Sequence, residues 1–93
     1  MELFANSQYE AASAQLERVV KMSPDVESLE MLLECYLALE QHDKAARIGV
    51  ALADAELADG NRTGAIATLT TLSQKIADPA IEQRRVELMQ NKP

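Results

Sequence analysis

Apolar side chains recur every three or four positions along most of the chain, and no run shows strict apolar/polar alternation. Spacing of that kind places them on one side of a helix. Tyr9, Ala12, Leu16 and Val19/Val20 share a face of a helix predicted over residues 8–22. Leu29, Leu32, Leu33, Tyr36 and Leu37 do the same over 25–40, and Ile48, Leu52 and Ala55 over 44–58. A narrower seam of Ala65, Leu69, Leu72 and Ile76 marks a helix over 62–77, and Ile81, Arg85, Leu88 and Met89 mark a last one over 79–90. The pattern predicts an all-α domain of about five helices. Asp59-Gly60 is the nearest approach to a hairpin turn signal, and helical patterns flank it.

Polar residues between these stripes supply the punctuation. Ser7-Gln8-Tyr9-Glu10 has the form of a capping box, in which the serine hydroxyl accepts a backbone N–H and the glutamate reaches back. Residues 1–5 then read as the tail of an earlier helix, and the chain as a fragment of a longer protein. Ser23-Pro24-Asp25 predicts a serine cap with proline in the first turn, where its missing N–H costs nothing. Asp43 is the expected cap of the third helix and Asn61 that of the fourth. Gly60 is the expected left-handed stop of the third. Asp78-Pro79 opens the fifth helix by the same signal as the second, and Asn91-Lys92-Pro93 is expected to fray. Connections this short make successive helices antiparallel neighbours.

Composition narrows the function. The chain is 93 residues long, enough for one domain. Only Phe4, Tyr9 and Tyr36 are aromatic, so its core must be aliphatic and rich in alanine. A net charge of −6, with Arg84-Arg85 the only adjacent basic pair, argues against nucleic acid or anionic membrane as the main partner. One cysteine allows no intrachain disulfide and no CxxC metal pair. No segment reaches the roughly 18 apolar residues of a membrane span, and no secretory leader follows Met1, so a cytoplasmic location is the default expectation.

An internal repeat accompanies the helices. Gln8-Tyr9-Glu10-Ala11-Ala12 aligns with Gln41-His42-Asp43-Lys44-Ala45, 33 positions later. Over residues 32–45, Leu32 and Tyr36 stand four apart on one helix, and the small Ala45 follows the turn. In the preceding unit Tyr9, Ala12, Leu16 and Pro24 hold the matching places. These positions resemble the tetratricopeptide repeat, whose period is about 34 residues. The resemblance covers residues 3–59 well and 60–90 loosely. Gly60-Asn61-Arg62-Thr63-Gly64-Ala65-Ile66 repeats the turn and second helix, but Ala65 follows Ala45 by only 20 positions. Either helix 44–58 ends one unit and begins the next, or the third match is coincidental helix-turn chemistry. The family's usual tryptophan is absent, and Leu33 and Glu40 stand where small residues or glycine are common.

No catalytic constellation is visible, and the chain is expected to be neither an enzyme nor a cofactor or metal binder. Cys35 and His42 are the only nucleophile–base candidates, and seven helical residues set them about 10.5 Å apart. Cys35 beside the apolar stripe reads as a small buried hydrophobe, and His42 as an exposed turn residue. Gly60 and Gly64 lack the spacing, strand and lysine of a phosphate loop.

Surface charge is what remains. Residues 1–43 carry nine acidic and two basic side chains, net −7, while residues 44–93 carry six and seven, net +1. Glu27, Glu30 and Glu34 recur at i, i+3 and i+7, largely opposite the leucines. The repeat resemblance implies that the first helix of each pair lines a groove, with Glu27, Glu30, Glu34 and Leu37 at its contact positions. Such a groove would hold a basic or amphipathic peptide or protein. Two alternatives stand beside this adaptor: a self-assembly element whose uncovered Tyr9/Leu16 edge is closed by a second copy, and a small chaperone of a secretion or pilus subunit, a role that the resemblance alone offers.

Overall fold

The computed structural model describes residues 2–90, with side chains from Gln8 onward. Five helices follow in order: α1 (Glu2–Met22), α2 (Val26–Ala38), α3 (His42–Ala58), α4 (Arg62–Lys75) and α5 (Pro79–Gln90). No strand occurs among the described residues. The fold is the expected all-α arrangement of antiparallel helix hairpins.

Each helix packs on the next, and α5 also packs on α3. Among the described residues no close backbone approach joins α1 to α3, or α2 to α4. The chain therefore zigzags between two layers, with α1, α3 and α5 on one side and α2 and α4 on the other. The slab that results measures 46 × 28 × 16 Å. Leu29 and Leu32 of α2, Leu69 and Leu72 of α4, and Ile81 and Leu88 of α5 form its fully buried centre. Ala45, Ala53 and Ala65 are also fully buried, which lets neighbouring helices approach closely. At Gly49 the approach is closer still: an added Cβ would lie 2.0 Å from the Leu72 Cδ2 methyl.

Two turns share one backbone pattern. After α2, Gln41 N–H bonds to the Tyr36 carbonyl and Glu40 N–H to that of Leu37. After α3, Asn61 N–H bonds to the Glu56 carbonyl and Gly60 N–H to that of Leu57. Both are Schellman closures, which put one residue in the left-handed region. Gly60 holds that place with φ 84°, as expected, and Glu40 holds its counterpart with φ 58°. Glu40 and Gly60 stand as far apart in the chain as Ala45 and Ala65, and α3 ends one hairpin and begins the other.

Four expectations are corrected. Helix α1 runs unbroken through Ser7 from Glu2, so no capping box starts it there and residues 2–5 belong to the same helix. The Asp25 carboxylate, not Ser23, caps α2, accepting the Ser28 N–H at 3.0 Å. Pro24 consequently precedes the helix instead of opening its first turn. Helix α3 starts at His42 behind Gln41, and Asp43 lies inside its first turn. The Schellman bond of Gln41 reverses the chain there, too early for Asp43 to act as cap. The α1 stripe is also only half used: Tyr9 and Val19 are exposed, Leu16 and Val20 half-buried, and Ser13 buried. A helix with a single neighbour, α2, can bury only one narrow face. The expected caps Asn61 and Asp78 hold, accepting from Gly64 N–H and Ala80 N–H at 2.9 Å each. Residues 91–93, where fraying was expected, lie outside the described residues.

Candidate docking grooves

A zigzag of helices leaves a furrow over every helix that has one neighbour on each side. The first lies over α2, between α1 and α3, and encloses about 320 Å³. The second lies over α3, between α2 and α4, and encloses about 410 Å³. They share no lining residue. Leu32 and Tyr36 face the first while Leu33 and Leu37 face the second, one helical step of about 100° away.

The second groove gathers three of the four residues singled out from sequence. Glu30, Glu34 and Leu37 line it from α2, above a floor that includes Leu33, Leu52 and Leu72. Glu27 is exposed on the same helix and lies outside this lining. The opposite wall comes from α4 and carries Ala67, Thr68, Thr71 and Lys75. Lys75 belongs to the same lining, so the groove carries less negative charge than a helical wheel of α2 alone implies. Beneath it the nearly buried Glu56 carboxylate accepts the Thr68 hydroxyl at 2.7 Å. That bond holds α4 against α3.

The helical pattern alone does not reveal the first groove. The half-buried Val20 and Ile48 form its apolar surface over the buried Leu32 and Tyr36 ring, and Lys21, Lys44 and Arg47 stand around it with Glu17. The Tyr36 hydroxyl donates to the Glu17 carboxylate and ties α2 to α1. Burial, and then that carboxylate, push the tyrosine pKa above its ordinary value, so it remains a neutral donor. The Lys44 ammonium sits 5.8 Å from the Tyr36 ring centroid. Part of a signal is present in the sequence: Lys44, Arg47 and Ile48 fall at i, i+3 and i+4 of one helix. Their convergence with Lys21 depends on how α1 docks, which helical spacing does not show.

Comparison of the linings shows one groove built twice. Glu17 and Leu37, Leu32 and Leu52, Arg47 and Ala67, and Ile48 and Thr68 are pairs at the same sequence interval as Glu40 and Gly60, one member in each lining. The shape recurs while the charge does not.

The remaining candidates for chemistry are dispersed. Cys35 is buried, and burial first, then the neighbouring Glu34 charge, raises its thiol pKa. A thiol in that state is a poor nucleophile. His42 is exposed at the start of α3 and Cys35 lies on α2, so a turn separates them and not the seven residues of one helix that were expected. Among the described residues no group of three or more His, Cys, Asp or Glu side chains is placed to hold a metal ion. No described helix is long and apolar enough to cross a membrane. No protein-family model, curated protein or solved structure matches the chain.

Proposed function

We propose that the chain is a protein-interaction module whose α2–α4 groove docks a basic or amphipathic segment of another protein. The observation that carries this reading is the meeting of Glu30, Glu34 and Leu37 above a leucine floor in one open furrow. Apolar side chains of the partner gain affinity chiefly by covering the half-buried Leu37, since Leu33, Leu52 and Leu72 below it are already buried. Its cations set register and on-rate against Glu30 and Glu34, while Lys75 disfavours a uniformly basic segment. The burial of Leu32, Tyr36 and Ala45 together supports a tetratricopeptide-like reading of the α2–α3 hairpin. The module acts by binding and makes no bonds, consistent with a buried Cys35 and a dispersed set of titratable groups.

Selection of random displayed peptides on the immobilised chain tests this reading. The enriched pool should pair Lys or Arg with Leu, Ile or Phe. That pool should vanish when selection is repeated on the Glu30→Lys/Glu34→Lys variant. A pool unaltered by those substitutions removes the groove from consideration.

A second reading rests on a different surface. Tyr9, Val19 and Met22 of α1 are exposed, Met22 at 87%, on a helix that packs against a single neighbour among the described residues. A second copy covering this edge makes the chain a self-assembly element. Light scattering at high micromolar concentration separates the two readings: a clean monomer ends this one.

A further inference from the structure

We propose that the α1–α3 groove is a second docking site, for a protein segment that presents a bulky apolar side chain flanked by carboxylates. This inference does not rest on the function proposed for the α2–α4 groove. Three of the chain's nine Lys and Arg residues converge here, in a molecule of net charge −6. Lys21, Lys44 and Arg47 form no ion pair with any described residue, whereas Arg84 and Arg85 are engaged by Asp54, Glu82 and Glu87. The single carboxylate in the lining, Glu17, already accepts the Tyr36 hydroxyl. Unpaired cations around an apolar surface are complementary to an acidic amphipathic ligand.

The fold does not require these cations. At the equivalent place in the other groove Ala67 stands for Arg47, and by the same interval Gly64 is the counterpart of Lys44. The same helix packing is achieved there without a cation at either of those two positions. Size and shape specify the class of ligand. A volume of about 320 Å³ lies at the lower limit of small-molecule sites, which enclose most of their ligand. An open furrow of that size between two helices takes one or two side chains of a larger partner. An Arg and two Lys at its rim then meet carboxylates on the same segment, with the guanidinium able to grip one bidentately.

The same peptide selection, run on the full chain, supplies the test. Wild type should yield a distinct subset with Asp or Glu within a turn of Leu, Ile, Phe or Met. That subset should survive Glu30→Lys/Glu34→Lys and vanish on Lys44→Glu/Arg47→Glu. Fluorescence anisotropy of one labelled peptide from the subset should show binding weakened about tenfold or more by Arg47→Ala, and weakened by added salt. Arg47→Ala places at 47 the residue found at 67, so it keeps the fold, as circular dichroism should verify, even if the double reversal does not. The absence of an acidic subset, or its survival on Lys44→Glu/Arg47→Glu and Arg47→Ala, overturns the proposal. So does a wild type that self-associates through this groove, seen as dimers by light scattering that Arg47→Ala abolishes.

Discussion

The two grooves are built by the same device and lined with opposite charge. Each is a furrow over a central helix, and four lining positions of one correspond to four of the other at the interval that separates Glu40 from Gly60. Over α2 the lining carries Lys21, Lys44 and Arg47 against one carboxylate; over α3 it carries Glu30 and Glu34 against Lys75. The floors are leucine in both, Leu32 and Leu52. Shape therefore follows from helix packing, and charge varies independently of it. The surprise is where the positive charge falls: the most acidic part of the sequence helps to build the basic groove.

Core substitutions should break this correspondence most strongly. In the α3–α4 hairpin Leu72 packs into the space that Gly49 leaves, while at the matching place in the preceding hairpin α2 carries Leu29. Leu72→Ala should cost about 2–5 kcal/mol in chemical denaturation. Gly49→Ala should cost about 1–2 kcal/mol, because the displaced leucine methyl outweighs the better helix former. In the Leu72→Ala background the same change should become stabilising by about 1 kcal/mol, giving a double-mutant cycle with a change of sign.

The hydrogen bonds beside the two floors come next. Thr68→Val leaves the nearly buried Glu56 carboxylate without its donor and should cost about 1–3 kcal/mol. Tyr36→Phe should cost less, about 0.5–1.5 kcal/mol, since the half-exposed Glu17 regains water. Equal losses from calorimetric melts of the two variants would mean that the grooves are not braced as described.

Smaller effects are expected at the two Schellman turns, and with opposite signs. An added Cβ at Gly60 meets nothing within 4 Å, so Gly60→Ala reports the left-handed backbone alone and should lose about 1 kcal/mol. Glu40→Gly relieves the same conformation and should gain about 0.5–1 kcal/mol. Matching signs in urea denaturation would refute the equivalence of the turns.

The smallest change concerns pH at the start of α2. Hydrogen bonds from Ser28, from its side chain and then its backbone, hold the Asp25 carboxyl below 3.8. A folded-state pKa below the unfolded value means that its contribution is present above pH 3.8 and fades as the pH falls through the folded value. Asp25→Asn keeps a capping oxygen and should remove that part of the acid dependence of the thermal midpoint.

Much of the architecture was legible because helix signals are local. The stripes placed all five helices, and Gly60, Asn61 and Asp78 marked boundaries that the structure keeps. Ser23 failed as a cap because Asp25, a little further on, offers a carboxylate to the same helix end; both satisfy the same rule, and the sequence alone does not rank them. Asp43 failed because the Schellman closure at Glu40 had already reversed the chain. The acidic side of the α2–α4 groove was visible because Glu30, Glu34 and Leu37 lie on one helix. Lys75 and the whole basic groove were not, because their residues meet only when different helices pack.

The single neighbour of α1 has a consequence for the order in which the molecule opens. Detaching α1 breaks one interface, whereas detaching α3 breaks those with α2, α4 and α5. Local unfolding should begin at α1, and amide exchange there should be the fastest of any helix that lines a groove. When α1 lifts, Glu17, Val20 and Lys21 leave with it, and the basic groove ceases to exist. The acidic groove, built from α2, α3 and α4, remains intact. A ligand in the basic groove is thus a clasp on α1: its binding and the docking of that helix are linked equilibria, each strengthening the other. A ligand in the acidic groove has no such hold.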